Sequence, residues 1–74
     1  MGTIIINGNN HVKIAEAICD IYGTTKVDNA DNSEITLNGS AERDICMSEE
    51  GLEKVCEELS AKLGFQVLET DFEF

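Results

Sequence analysis

The sequence predicts an α+β fold: a small antiparallel sheet of four to five strands with two helices packed on one face, in the order β-α-β-β-(β)-α-β. Three observations predict it. Apolar residues recur at three-and-four spacing over His11–Tyr22 and again from Leu52 to Leu63, as a helix with one buried stripe requires. Short β-branched or alternating runs stand at Thr3–Ile6, Thr24–Val27, Glu34–Leu37 and Phe65–Phe74. Glycine and asparagine punctuate these segments at Asn7–Asn10, Gly23, Asn38-Gly39 and Gly64.

Taken in order, Thr3–Ile6 reads as a buried strand, and Asn7-Gly8-Asn9-Asn10 as a turn that leads into a helix. In that helix Ile14, Ala17, Ile18 and Ile21 share one face while Lys13, Glu16 and Asp20 point away, and Gly23 supplies the stop. Thr24–Val27 and Glu34–Leu37 form a hairpin around the polar loop Asp28–Ser33. Asn38-Gly39 suits a two-residue turn, because both residues tolerate positive φ, and it leads to a further strand over Ser40–Cys46.

The second helix has Ser48 as N-cap, Met47 and Leu52 as a hydrophobic staple, and a stripe of Leu52, Val55, Cys56, Leu59 and Leu63 ending at Gly64. Phe65–Phe74 reads as a terminal strand. Leu68, Thr70, Phe72 and Phe74 share one of its faces and Glu69, Asp71 and Glu73 the other, with a bulge near Val67 or Leu68 to absorb the change of phase.

At 74 residues the chain reads as a single domain, 1–74, that buries only about 60% of the surface it would expose unfolded. Its stability margin is correspondingly small, and a homodimer is compatible with that. The aromatic share of 5%, with no tryptophan, implies an aliphatic core. The apolar run Ile4–Ile6 is too short for a signal peptide or a spanning helix, so the expected location is the cytoplasm. Three cysteines without framework spacing fit a reducing compartment, with Cys19 and Cys56 at apolar helix positions. Asn38-Gly39-Ser40 matches a glycosylation sequon, which carries no weight without export.

Chemistry-bearing motifs are scarce. His11 has no cysteine or carboxylate at ligand spacing and reads as a solvated residue of a helix start. Cys46 precedes a helix N-terminus, where thiolates are stabilised, but has no histidine partner in the sequence. Asn7–Asn10 lacks the lysine and hydroxyl residue of a phosphate loop, and the acidic loop from Asp28 to Glu34 lacks the ligand order of a calcium loop. The three cysteines fall short of the four that a common iron–sulfur cluster needs. No catalytic residue, cofactor or metal site is expected, and the chain reads as a non-enzyme.

The charge is the informative feature. Fifteen acids against five bases give a net charge of −10, and all of it falls in residues 28–74, since Lys13 and Lys26 balance Glu16 and Asp20 before that point. Such self-repulsion opposes compaction, and it disfavours direct nucleic-acid or anionic-membrane contact. Glu50 with Lys54 and Glu58 with Lys62 stand at i,i+4 and have a structural reading as ion pairs. Glu49, Glu53 and Glu57 repeat every four residues with no base among them, and each like-charge step costs about 0.2–0.5 kcal/mol. On an extended terminal strand Glu69, Asp71 and Glu73 would recur about every 6.8 Å, against about 6 Å for the helical row. Both approximate every second phosphate of a DNA strand, at about 3.4 Å per phosphate. The bland reading of the same residues is a solvated acidic face.

Small size, high acidity, an α+β layout and the row Glu49, Glu53, Glu57, Glu69, Asp71 and Glu73 make the chain resemble phage-encoded anti-CRISPR proteins of the DNA-mimic kind. The resemblance implies an inhibitor that occupies the basic channel of a nucleic-acid-binding protein or complex and blocks target binding by competition. Phe72 and Phe74 are the expected apolar anchors, provided that they are exposed. The alternative is a small regulatory or antitoxin-like subunit of a larger assembly, bound through an edge strand and the terminal aromatics.

Overall fold

A computed structural model describes residues 2–46 and 49–74, the side chain of Cys46 excepted. The expected cap and staple at Ser48 and Met47, and the Cys46 thiol, lie outside what it describes. The chain runs through β1 (Gly2–Asn7), α1 (His11–Tyr22), β2 (Thr25–Asp28), β3 (Asn32–Leu37), α2 (Gly39–Cys46), α3 (Glu49–Leu63), a 3-10 turn (Glu69–Asp71) and β4 (Phe72–Glu73). The fold is α+β, as the periodicities predict.

The sheet is antiparallel, with strand order β2-β3-β1-β4. Ile4 pairs with Ile35 and Ile6 with Ser33, and these residues and Leu37 are buried beneath the helices. Their neighbours Thr3, Ile5, Glu34 and Thr36 alternate onto the other face, which no helix among the described residues covers. All three helices meet the covered face in one core. α1 contributes Ile14, Ala15, Ala17 and Ile18, α2 contributes Ala41 and Ile45, and α3 contributes Val55, Cys56 and Leu59. Phe72 is the one aromatic buried among these described residues, so the core is aliphatic as the composition implies. Ile21 departs from expectation: it is 40% exposed, and Tyr22 packs against the core instead.

Both predicted helix stops are seen. Gly23 adopts φ 68° and its N–H bonds the Cys19 carbonyl at 2.8 Å, while Gly64 adopts φ 79° and bonds the Ser60 carbonyl at 3.0 Å.

Two expectations are corrected. Asn38-Gly39 is a helix start, not a hairpin turn: Asn38 Oδ1 accepts the Ala41 N–H at 3.1 Å and the Asn38 carbonyl accepts the Glu42 N–H at 2.7 Å. Asparagine serves both roles, and the spacing of Ala41 and Ile45, one helical turn apart and both buried, decides for the helix. Ser40–Cys46 is therefore not a strand, and three helices cover the sheet.

The terminal segment is also not one strand. Val67 and Phe72 are buried, Leu68 is 47% exposed and Phe74 62% exposed. Between them Asp71 Oδ2 accepts the Leu68 N–H at 3.0 Å while the Asp71 N–H bonds the Leu68 carbonyl at 3.0 Å. This reciprocal pair closes a turn, leaving only Phe72–Glu73 to pair with β1. A turn takes the place of the expected bulge.

Candidate functional site

α3 builds one wall of the site. Its apolar stripe is held down by Val55, Cys56 and Leu59, which are buried, and by Leu52 and Leu63, which pack against the same core. That fixes the rotation of the helix, so Glu49, Glu53 and Glu57 form an exposed row along one flank. Glu50, Lys54 and Glu58 line the other flank, in a cleft shared with Tyr22 and Arg43. The two rows lie about 100° apart around the helix axis, and Lys54 lines the second cleft and not the groove.

The second wall is the segment after Gly64, which turns back along α3. Ser60 pins it: its hydroxyl donates to the Cys56 carbonyl at 2.7 Å and accepts the Val67 N–H at 2.8 Å. Between the walls lies an open groove of about 740 Å³. Glu49, Glu53 and Glu57 line one side and Glu69 the other, with Cys56, Val67 and Leu68 supplying apolar surface and Ser60 and Gln66 polar surface. No lysine or arginine is among these lining residues.

The groove's electrostatics register on Cys56. Burial pushes its thiol up to about 11, and the carboxylates of Glu69 and Asp71 add to the effect. A thiol so shifted remains protonated and unreactive at neutral pH.

The structure thus brings together four of the six acids singled out in the sequence, and not the other two. Asp71 is half-buried, its carboxylate committed to the Leu68 N–H, although its charge still acts on Cys56. Glu73 lies opposite Ile5 at the sheet edge and is not among the groove's lining residues. The regular ladder expected of Glu69, Asp71 and Glu73 does not exist, because Glu69–Asp71 is a 3-10 turn and not an extended strand. Phe72 is only 7% exposed and is unavailable as an anchor, whereas Phe74 is exposed. Leu68, Gln66 and Ser60 were not singled out in the sequence. Their only local signal is the serine at i+4 from Cys56, a spacing at which a helical hydroxyl can bond the preceding turn.

A second polar group joins the sheet to the start of α1. Ser33 is fully buried; its hydroxyl donates to Asp28 Oδ1 at 2.9 Å and lies 2.9 Å from His11 Nδ1. The hydroxyl proton serves Asp28, so Nδ1 of His11 carries the hydrogen of the second bond. His11 is therefore half-buried and fixed, and not a freely solvated residue. With its hydroxyl engaged on both sides, Ser33 is a connector between β3, the end of β2 and α1, and it presents no free nucleophile.

Among the described residues no three His, Cys, Asp or Glu side chains come together as a metal-ligand set, and no helix is long and apolar enough to cross a membrane. Comparison with known proteins yields no match to a protein family, to a curated protein or to a solved structure.

Proposed function

We infer that the chain is a non-catalytic binding protein whose acidic groove takes a Lys/Arg-rich surface, and that it acts as an inhibitor by occupying a site that otherwise holds nucleic acid. The observation that supports this reading is the convergence of Glu49, Glu53, Glu57 and Glu69 on one groove with no base among the residues that line it. Repulsion within the row opposes folding, and a cationic partner would relieve it. The helical row keeps a rise of about 6 Å per carboxylate, near every second phosphate of a DNA strand. Mimicry of a backbone therefore rests on α3 and Glu69, not on two parallel ladders. The anti-CRISPR-like mode of action and a phage source belong to this proposal. The apolar surface of Val67 and Leu68 gives a partner something to bury besides charge, and exposed Phe74 is the remaining aromatic anchor.

The test is capture of basic nucleic-acid-binding proteins from lysate at low and moderate salt, repeated with a chain carrying Glu49→Gln, Glu53→Gln and Glu57→Gln. The reading expects capture that weakens steeply with salt and is lost in the triple variant, with added DNA competing for the captured protein. The fold should be unaffected, since removing two like-charge steps, about 0.2–0.5 kcal/mol each, offsets the loss of Glu49 from the helix start, about 0.3–1 kcal/mol. Equal capture by wild type and variant would remove the groove from the site.

A further inference from the structure

β2 ends the sheet order and, among the described residues, pairs only with β3. Which of its backbone groups face the open edge follows from the hairpin, where Asn29 donates its N–H to the Asn32 carbonyl at 2.8 Å. Ladder bonds alternate along an antiparallel pair, so Thr25 and Val27 turn their backbone groups to β3. Lys26 and Asp28 turn theirs to the free edge.

A lysine on an edge ordinarily repels a second strand. Here Lys26 is held back by two carboxylates, Asp28 at 3.3 Å and Glu16 of α1 at 3.6 Å, and its side chain is only 20% exposed. Lys26 and Asp28 lie on the helix-bearing face, opposite Ile35 and Ser33, while Val27 lies on the open face opposite Glu34 and is 53% exposed. The edge is thus an alternation of base, exposed valine and acid, and that pattern is self-complementary.

We propose that two copies of the chain join antiparallel through their β2 edges, making one continuous sheet. Three registers bring outward groups to outward groups. One sets Lys26 against Lys26 of the second copy and another sets Asp28 against its own counterpart, both repulsive. The third sets each Lys26 against the other copy's Asp28 and Val27 against Val27, and it is the one the charges select. The negative charge nearest this edge is that of Asp28, Asp31 and Glu34, of which Asp28 is paired in the selected register. The acidic groove lies beside the segment that leads into β4, at the opposite edge of the sheet. Dimerisation therefore leaves both grooves outward. The contact is small, so the dimer is weak and depends on concentration.

Cross-linking tests the register. Val27 falls at a non-hydrogen-bonded position, where facing Cα atoms are about 4.5 Å apart, inside the range of about 4.4–6.8 Å that a disulfide spans. Under mild oxidation at sub-millimolar concentration, Val27→Cys should give a covalent species of twice 8.1 kDa, well above the yield from the wild-type thiols. Thr25→Cys, facing Asn29 of the second copy, should not. Lys26→Glu and Asp28→Lys should each sediment as monomers, and a one-to-one mixture should restore a dimer, because both cross-pairs are then attractive. If Asp28→Lys fails to fold, the chain carrying Lys26→Glu and Val27→Cys reads the register by itself, through loss of the cross-link. Equal cross-linking at positions 25 and 27, or a cross-link insensitive to Lys26→Glu, overturns the proposal.

Discussion

The Ser60 hydroxyl and the Val67 N–H are 2.8 Å apart, and this bond, together with the burial of Val67, holds the loop wall of the groove against α3. The same hydroxyl is anchored one turn back on the Cys56 carbonyl. Ser60→Ala leaves the Val67 N–H without its partner in a part-buried setting, which costs about 1–3 kcal/mol. Chemical denaturation should show that loss, and hydrogen exchange at Val67 should quicken. Groove binding should weaken in the variant as well, because Glu69 is carried by the same segment.

The two terminal phenylalanines should separate cleanly. Phe72 is buried in the core and Phe74 is exposed, so Phe72→Ala should cost about 3–5 kcal/mol of stability and Phe74→Ala less than about 0.5 kcal/mol. Urea unfolding measures both. Partner binding, once a partner is in hand, should respond to Phe74→Ala in a chain that is otherwise as stable as wild type.

Acid stability should depend on Asp28. The Ser33 hydroxyl first, and the charges of Lys26 and His11 after it, hold this carboxyl below its ordinary value of 3.8. A lowered folded value means that the carboxylate stabilises the fold at pH above 3.8, and that this contribution disappears as pH falls through the lowered value. The difference in stability between wild type and Asp28→Asn should therefore be present at neutrality and close to zero in strong acid. Denaturation midpoints measured across that range check it.

Cys56 carries the opposite sign. Its thiol lies up at about 11 against an ordinary 9.0, so the neutral form belongs to the folded state, and stability is retained below pH 9 and lost as pH rises through 11. At a given pH well below 9 it holds roughly a hundredfold less thiolate than a free cysteine. Alkylation of Cys56 at pH 8 should be slow while the chain is folded. Glu69→Gln removes one of the charges behind the shift and should speed the reaction, without the loss of a turn that a change at Asp71 would bring.

The helices at 11–22 and after residue 48 were legible because a buried stripe repeats every three or four residues and needs no distant information. The stops at Gly23 and Gly64 were legible for the same reason. Asn38-Gly39 was not, since the pair suits a hairpin and a helix start equally well, and the packing of Ala41 and Ile45 beneath the sheet settles it. The end of the chain misled because acids alternate there with apolar and hydroxyl residues, as in a half-buried strand. Asp71 bonding the backbone of Leu68 turns the alternation into a turn and buries Val67 and Phe72 in place of the expected set.

By itself, then, the sequence determined the class of fold, the excess of acid after residue 27 and the uncompensated row Glu49, Glu53 and Glu57. Tertiary structure decided that Glu69 joins that row while Asp71 and Glu73 do not, that Phe72 is core, and that His11 is tied to Ser33. The physical reason is range. Helical periodicity and net charge are set by near neighbours and by counting, but the partners of a loop are set by whichever surface it folds onto, here α3 through the Ser60 hydroxyl and the core through Val67.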